Sequence, residues 1–287
     1  MDSGIFAGVE LGGTKCIAIL ASGPARILAS ETVPTTVPGE TLGRLGEILS
    51  GWKSEGVGGL GIASFGPLDL DRGVIATTPK PGWRDAEVKR TLEEAAGVPA
   101  AFDTDVNGGA LAEMRWGSGR GMDDFAYITV GTGVGVGLIA NGKPTRGFAH
   151  CELGHIRVAR LAGDTFAGSC PFHGDCVEGL AAGPSLKARV GDRVGALRDD
   201  DPVWESVAWA LAQLCHAIVC AAAPRAIAIG GGVVENQPHL LPRIERMLVE
   251  SLNGYVELPG PGYVRTPELG SDAGPLGAIA LAMTAGK

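Results

Sequence analysis

The sequence has few aromatic residues and no long basic stretch. Aromatic residues make up 5% of its 287 residues, and 24 Lys and Arg against 32 Asp and Glu leave a formal net charge of −8 at pH 7. A surface that binds DNA or RNA carries clustered positive charge, because contacts to the phosphate backbone supply much of the affinity. We therefore expect no nucleic-acid partner.

The chain also lacks a leader-like start and a membrane-length apolar run. Residues 1–4 have neither the basic segment nor the apolar segment of a secretory leader. The most apolar stretch, 207–223, is interrupted by Gln213 and His216 and follows Asp201-Pro202, a pair typical of a helix start. A span needs about 20 apolar residues, so we predict a buried helix over about 203–223 and no membrane contact. Six scattered cysteines favour a reducing cytoplasm over disulfides.

What the sequence does have is 46 glycines and a repeated strand, glycine turn, strand pattern. The pattern occupies residues 5–20 and returns at 125–140, which indicates an internal duplication. Helical and strand-like segments alternate after each copy, which favours a mixed α/β sheet in each half. We predict an N-terminal lobe over 1–117, with a C-terminal helix at about 275–287 packing on it, and a larger lobe over 118–274.

The glycine turns are candidate phosphate sites. Adjacent glycines followed by a hydroxyl and an amine let backbone N–H groups approach anionic oxygens closely. Neither turn has the P-loop form, and each could be an ordinary hairpin turn, but the pair could hold a triphosphate from two sides. A third glycine element closes a later strand, where adenosine could lie on bare backbone. The candidates are Gly12, Gly13, Thr14 and Lys15; Gly131, Thr132 and Gly133; and Gly231 and Gly232.

Asp105 is the candidate general base. It follows a predicted strand and begins a predicted helix, whose positive end favours an ionised carboxylate. Such a carboxylate can accept the proton of a sugar hydroxyl during phosphoryl transfer. The alternative is that Asp103 or Asp105 only caps the helix. Asn107 could hold hydroxyls or could equally cap the helix.

A cluster of His and Cys predicts a metal site. His155, Cys170, His173 and Cys176 follow the spacing H-x14-C-x2-H-x2-C on a glycine-rich loop. Two thiolates and two imidazoles are a donor set for tetrahedral zinc, and four protein ligands make the site structural. Glu152 and Glu178 flank this loop, and the metal would hold both in fixed places; they could equally be plain surface glutamates.

Seven motifs in order resemble the fructokinase branch of the ROK (repressor/open reading frame/kinase) sugar-kinase family, over about residues 5–280. They are Val9-Glu10-Leu11-Gly12-Gly13-Thr14-Lys15, Phe65-Gly66-Pro67-Leu68-Asp69, Thr78-Pro79-Lys80-Pro81-Gly82-Trp83, Thr104-Asp105-Val106-Asn107, Gly131-Thr132-Gly133-Val134-Gly135, Glu152-Leu153-Gly154-His155 and the segment 170–181, which reads CPFHGDCVEGLA. The third and the last are specific to the fructokinase branch.

The resemblance implies a two-lobed, actin-like (ribonuclease-H-like) α/β fold with ATP and Mg²⁺ in a central cleft. It implies phosphorylation of D-fructose to fructose 6-phosphate, with Asp105 as the base and with sugar contacts from Asn107, Glu152, His155 and Glu178. His155 doubles as a zinc ligand, and Glu10 stands near the Mg²⁺. A homodimer is also implied.

Two sequence differences and two alternative functions accompany the resemblance. Cys151 stands where Pro is common. Gly108-Gly109 replace a usual Ala pair, so we expect a looser helix after Asp105, since an interior Gly costs roughly 1 kcal/mol against Ala. A broader hexokinase acting on mannose, glucose or N-acylhexosamines is the alternative function. A sugar-sensing repressor of the family would carry a helix-turn-helix before the first hairpin, and only four residues precede that strand here.

Overall fold

The computed structural model describes residues 4–24, 26–78 and 80–286. Its strands are β1 Ile5–Leu11, β2 Lys15–Ala21, β3 Ile27–Pro34, β4 Val57–Ser64, β5 Leu68–Asp69, β6 Val74–Ile75, β7 Ala100–Thr104, β8 Phe125–Val130, β9 Val134–Ala140, β10 Lys143–Pro144, β11 Ile227–Gly230 and β12 Val264–Arg265. Its α-helices are α1 Pro38–Gly51, α2 Val88–Ala96, α3 Asp105–Trp116, α4 Val177–Ala181, α5 Gly183–Val190, α6 Val203–Ala222, α7 Gly232–Glu235, α8 Leu240–Leu252 and α9 Ala273–Ala282.

Two five-stranded sheets repeat one topology. The first sheet has the order β3-β2-β1-β4-β7 and the second has the order β10-β9-β8-β11-β12. In each sheet a glycine-turn hairpin, β1–β2 or β8–β9, pairs antiparallel, and its first strand then pairs parallel with a later strand. The matching orders agree with the duplication read from the two glycine hairpins.

The chain divides into two compact units, each with a hydrophobic core of its own. Unit 1 comprises Met1–Arg120, Pro144–His150 and Ser271–Lys287, and unit 2 comprises Gly121–Lys143 and Cys151–Gly270. The main core of unit 1 joins the first sheet to α1 and α2, whereas that of unit 2 joins the second sheet to α4, α6 and α8. The segment 144–150 therefore packs with unit 1, although the sequence-based boundaries placed it in the second lobe.

Apolar spacing explains the helices that cover the sheets. In α2, Val88, Leu92 and Ala96 are buried, and positions four apart lie on one helical face. The long helix α6 has the apolar composition and length that could cross a bilayer, yet half of its most apolar window is buried inside the chain. Leu211 and Leu214 are among its fully buried residues. This is the buried helix predicted from the sequence.

Glycines let α9 pack so closely on α3 and on the first sheet that their backbone atoms are in contact. A Cβ on Gly277 of α9 would lie 2.5 Å from the carbonyl carbon of Gly108 in α3. A Cβ on Gly61 of β4 would overlap the carbonyl oxygen of Ala278. The helix α3 is nevertheless continuous over its 12 residues. Gly108 is therefore a packing position, where the sequence analysis expected only a weakened helix.

We predict that Gly277→Ala destabilises the protein by about 1–3 kcal/mol, because an added methyl group forces the α3 and α9 backbones apart. Gly43→Ala in α1 is the matched control, since a Cβ there meets nothing within 4 Å; it should stabilise the protein by about 0.5–1 kcal/mol. Urea unfolding of both variants measures the difference. Equal stability of the two variants would contradict the close helix contact.

Candidate active site

The first glycine turn joins β1 to β2 and is held tightly at its base. The Gly12 N–H donates to the Lys15 carbonyl at 3.1 Å, and a Cβ on Gly12 would lie only 2.5 Å from that oxygen. Thr35 fixes the turn from the side, because its Oγ1 donates to the Gly12 carbonyl at 2.9 Å. Gly13 and Thr14 at the tip remain exposed. A tip of this kind can present N–H groups and a hydroxyl to a phosphate.

The loop 78–83 packs beside this turn. Trp83 is 1% exposed, and its Nε1 donates to the Thr36 carbonyl at 2.8 Å. Lys80 donates from Nζ to the Gly13 carbonyl and lies over the Phe65 ring, 5.3 Å from its centroid. Pro79 lies outside the described residues. The sequence analysis quoted this loop as a motif but did not connect Lys80 with the turn, because no sequence spacing indicates that contact.

Asp105 is the first residue of α3, immediately after β7. The N-cap residue Thr104 accepts the Asn107 N–H through its side chain at 3.2 Å, and Asp105 Oδ1 accepts the Val106 N–H at 2.9 Å. The start of a helix carries partial positive charge from its unpaired N–H groups. The carboxylate of Asp105 is therefore favoured in its ionised form.

Glu10 forms an acidic pair with Asp105 near the first turn. Burial and the Asp105 charge raise the pKa of Glu10 to about 7, and Lys15 opposes the rise. A side chain on Gly274, in the first turn of α9, would overlap the Glu10 carboxylate. Glu10, Asp105 and Lys15 are thus brought together in unit 1, as neighbours of the first glycine turn.

The second glycine turn lies in unit 2 and contacts Glu178. The Gly131 N–H donates to the Gly133 carbonyl at 2.9 Å. Glu178 Oε2 accepts the Val134 N–H at 3.2 Å, and a Cβ on Gly133 would lie 2.6 Å from that same oxygen. A larger residue at Gly133 would displace the carboxylate. The structure therefore joins a predicted phosphate turn to a predicted sugar contact that the sequence separates by more than 40 positions.

The segment that carries Glu152 and His155 packs against the same turn. A 3-10 helix covers Leu153–His155, and the His155 N–H donates to the Glu152 carbonyl at 3.0 Å. A Cβ on Gly154 would overlap the Val134 carbonyl oxygen. Glycine at this position allows the backbones to touch, so the Glu152–His155 segment lies directly on the second turn.

The third glycine element follows β11. Gly231 has φ 87°, and a Cβ there would lie 2.6 Å from the Val130 backbone nitrogen. Both observations restrict the position to glycine. Around Gly232 a Cβ would meet nothing within 4 Å. The bare backbone expected at this strand end is present in unit 2.

The four predicted metal ligands converge in unit 2. One donor atom from each of His155, Cys170, His173 and Cys176 lies within 4.8 Å of the other three. The Cys170 Sγ lies 3.7 Å from Nδ1 of His155 and of His173, and the Cys176 Sγ lies 3.6 Å from His155 Nδ1. Tetrahedral bonds of about 2.3 Å to sulfur and about 2.0 Å to nitrogen separate such ligands by roughly 3.5 Å. The donor set therefore fits a four-coordinate metal.

An arginine and aspartate network supports this loop. Arg189 binds Asp164 through two nitrogens, at 2.9 and 2.8 Å, and this pairing lowers the pKa of Asp164 to about 2. Arg160 lies 3.5 Å from both Asp164 and Asp175. Asp175 directly precedes the ligand Cys176, so the network holds the metal-binding loop from outside.

Comparison with known proteins identifies the chain. The ROK family profile matches residues 6–285. The chain belongs to the ROK family. It is 40% identical over 298 residues to a fructokinase from Zymomonas mobilis, covering 99% of this chain and 98% of that protein.

Solved ROK structures have the same fold. The ROK hexokinase from Thermus thermophilus is 29% identical, with a TM-score of 0.81 and 98% of each chain covered. A ROK family glucokinase from Streptomyces griseus, in complex with glucose and AMPPNP, is 28% identical, with a TM-score of 0.72, 98% of this chain and 100% of that chain covered. The two-lobed, actin-like α/β fold class predicted from the sequence is confirmed.

Proposed function

We propose that this ROK protein is an ATP-dependent fructokinase that converts D-fructose to fructose 6-phosphate. The observation that carries the proposal is its higher identity to the Zymomonas fructokinase than to the solved hexokinase and glucokinase. The glucokinase binds AMPPNP, an ATP analogue, which supports ATP as the phosphoryl donor. A broader hexokinase remains the alternative that the experiment below separates.

Asp105 is the proposed general base. The Val106 N–H donates to its Oδ1, and the partial positive charge at the start of α3 favours the ionised carboxylate. It would accept the proton of the sugar hydroxyl as that oxygen attacks the γ-phosphorus. Such a base contributes a factor on the order of 10²–10⁴ to the rate, and the remainder comes from positioning and from neutralising the phosphate charge.

The two glycine turns are the proposed phosphate sites. Gly12, Gly13, Thr14 and Lys15 form the first, and Gly131, Thr132 and Gly133 form the second, with Gly231 and Gly232 beside the adenosine. The raised pKa of Glu10 beside Asp105 supports a cation here, because a divalent ion would relieve the repulsion between two carboxylates. Bound Mg²⁺ supplies charge neutralisation for the transferring phosphoryl group.

Asn107, Glu152, His155 and Glu178 are the proposed sugar contacts. His155 turns Nδ1 toward both thiols, so its Nε2 is the nitrogen left for a sugar hydroxyl. Glu178 uses Oε2 for the Val134 N–H, which leaves Oε1 to accept a hydroxyl. His155 and Glu178 thus each have one polar atom engaged in the protein and another for the ligand, an arrangement that holds a binding group rigid.

Zinc is the proposed metal of the cluster formed by His155, Cys170, His173 and Cys176. Two sulfur and two nitrogen donors are typical of structural zinc sites. The metal would fix the loop that leads into α4 and so into Glu178. Its role is structural, because the four protein donors complete a tetrahedral coordination.

We also propose that the enzyme works in the reducing cytoplasm as a homodimer, with sugar and ATP as partners and without nucleic acid or membrane. The six cysteines, all within the described residues, form no disulfide, which supports a reducing compartment. The net charge of −8 disfavours binding to a phosphate backbone.

A substrate panel tests the proposed function. ADP release should be measured with fructose, glucose, mannose, N-acetylglucosamine and N-acetylmannosamine at saturating ATP. We expect kcat/KM for fructose to exceed that for every other sugar by about tenfold or more, because hydroxyl contacts discriminate between sugars. Equal use of several hexoses would favour the broader hexokinase. Absence of ADP release with all five would contradict the kinase assignment.

Metal analysis tests the zinc proposal. We expect about one zinc per chain in the purified protein, and none after Cys170→Ser, which removes one of four ligands. Cys220→Ser is the matched control, because Cys220 is exposed and stands outside the cluster. A folded wild-type protein without metal, or zinc retained in the Cys170→Ser variant, would contradict the proposal.

A further inference from the structure

Asp103 is a buried carboxylate that none of the proposed roles uses. It is 6% exposed and lies on β7, two residues before Asp105. Its Oδ1 accepts two hydrogen bonds at 2.7 Å, one from the Thr104 N–H and one from Nδ2 of Asn107. The second bond ties Asp103 to a side chain that is itself only 4% exposed.

The chemistry of this contact sets the orientation of the Asn107 amide. An ionised carboxylate only accepts hydrogen bonds, so the amide must turn its NH₂ group toward Asp103. Because the amide is planar, its carbonyl oxygen then points to the side away from Asp103. We propose that Asp103 is a positioning residue, which holds Asn107 so that its oxygen accepts a hydrogen bond from a sugar hydroxyl. This inference rests on the proposed sugar contact of Asn107.

Burial raises the pKa of Asp103 above its usual value. The hydrogen bonds from Asn107 and Thr104 and the positive charge of Arg146 oppose this rise. His150 is held in place because its Nε2 accepts the Leu68 N–H at 2.9 Å. The segment 144–150 thus brings the Arg146 guanidinium close to this carboxylate within unit 1.

The competing explanation is that Asp103 only stabilises the start of α3. Glu113 on the same helix allows a matched comparison, because it is a fully buried carboxylate that also accepts one backbone and one side-chain hydrogen bond. Its Oε2 accepts the Ser118 N–H at 2.7 Å and the Ser118 hydroxyl at 2.8 Å. Glu113→Leu therefore removes the same kind of buried acceptor as Asp103→Leu, at the far end of the helix.

The test begins with Asp103→Leu and Glu113→Leu. Leucine at position 103 accepts no hydrogen bond, so it no longer imposes one orientation on Asn107. We expect Asp103→Leu to raise the KM for fructose and the Kd from calorimetric titration about tenfold, with the KM for ATP within about twofold and kcat within about threefold of wild type. Losing one oriented hydrogen bond has an effect of this size. Glu113→Leu should lower the unfolding temperature and leave fructose binding unchanged.

A second variant gives a conservative rescue. In Asp103→Asn the Thr104 N–H still donates to the side-chain oxygen of residue 103, and that same oxygen still accepts Nδ2 of Asn107. We expect fructose binding in Asp103→Asn to stay within about threefold of wild type.

The outcomes separate the explanations. Fructose binding unchanged in Asp103→Leu, binding lost equally in Glu113→Leu, or a loss in Asp103→Asn as large as that in Asp103→Leu would each overturn the positioning role, whereas wild-type phosphorylation of fructose would still stand. A wild-type protein that neither binds nor phosphorylates any hexose would overturn the proposed function and this inference together.

Discussion

The close packing of α9 against α3 and the first sheet is the constraint on which the site in unit 1 depends. Hydrogen in place of a side chain at Gly61 and Gly277 lets the backbones of β4, α9 and α3 meet at distances that no methyl group permits, and a Cβ on Gly108 would lie 3.2 Å from the Gly277 carbonyl carbon. This contact fixes the N-terminal half of α3 against α9, and so helps to place the carboxylate of Asp105 and the amide of Asn107. The same helix α9 brings Gly274 onto Glu10. The glycine-rich composition thus serves precise placement of acidic groups rather than flexibility.

Unit 2 also uses glycines to bring segments into close contact, here around the second glycine turn and the metal cluster. Gly154 lets the segment before His155 lie on the second turn, and Gly133 leaves room for the Glu178 carboxylate. The metal cluster is attached to both, since His155 ends one segment and Cys176 lies two residues before Glu178. A metal in this cluster would fix the two proposed sugar contacts relative to the second glycine turn. Its contribution to catalysis is then positional, which agrees with four protein donors.

Much of this arrangement could be predicted, because it depends on local patterns. The hairpins at both glycine turns, the long helix α6 and the spacing of the His and Cys cluster are all properties of short segments. The contacts that the sequence left undetermined join distant segments: Glu178 with Gly133, Lys80 with the first turn, and Gly108 with Gly277. A glycine pair in a helix predicts weakness from propensity alone, whereas its purpose depends on a neighbouring backbone more than 160 positions later. From the sequence alone Asp103 is an alternative helix cap, because its hydrogen bond with Asn107 is visible only in the structure.

Asp105 is the proposed general base, and replacing it is the most direct test of the proposed reaction. In Asp105→Asn the side chain keeps its size and its place at the start of α3 but no longer takes up a proton. We predict that kcat for fructose phosphorylation falls by about 10²–10⁴ in this variant, while calorimetric Kd values for fructose and ATP stay within about threefold of wild type. Turnover within about tenfold of wild type, with both ligands still bound, would contradict it.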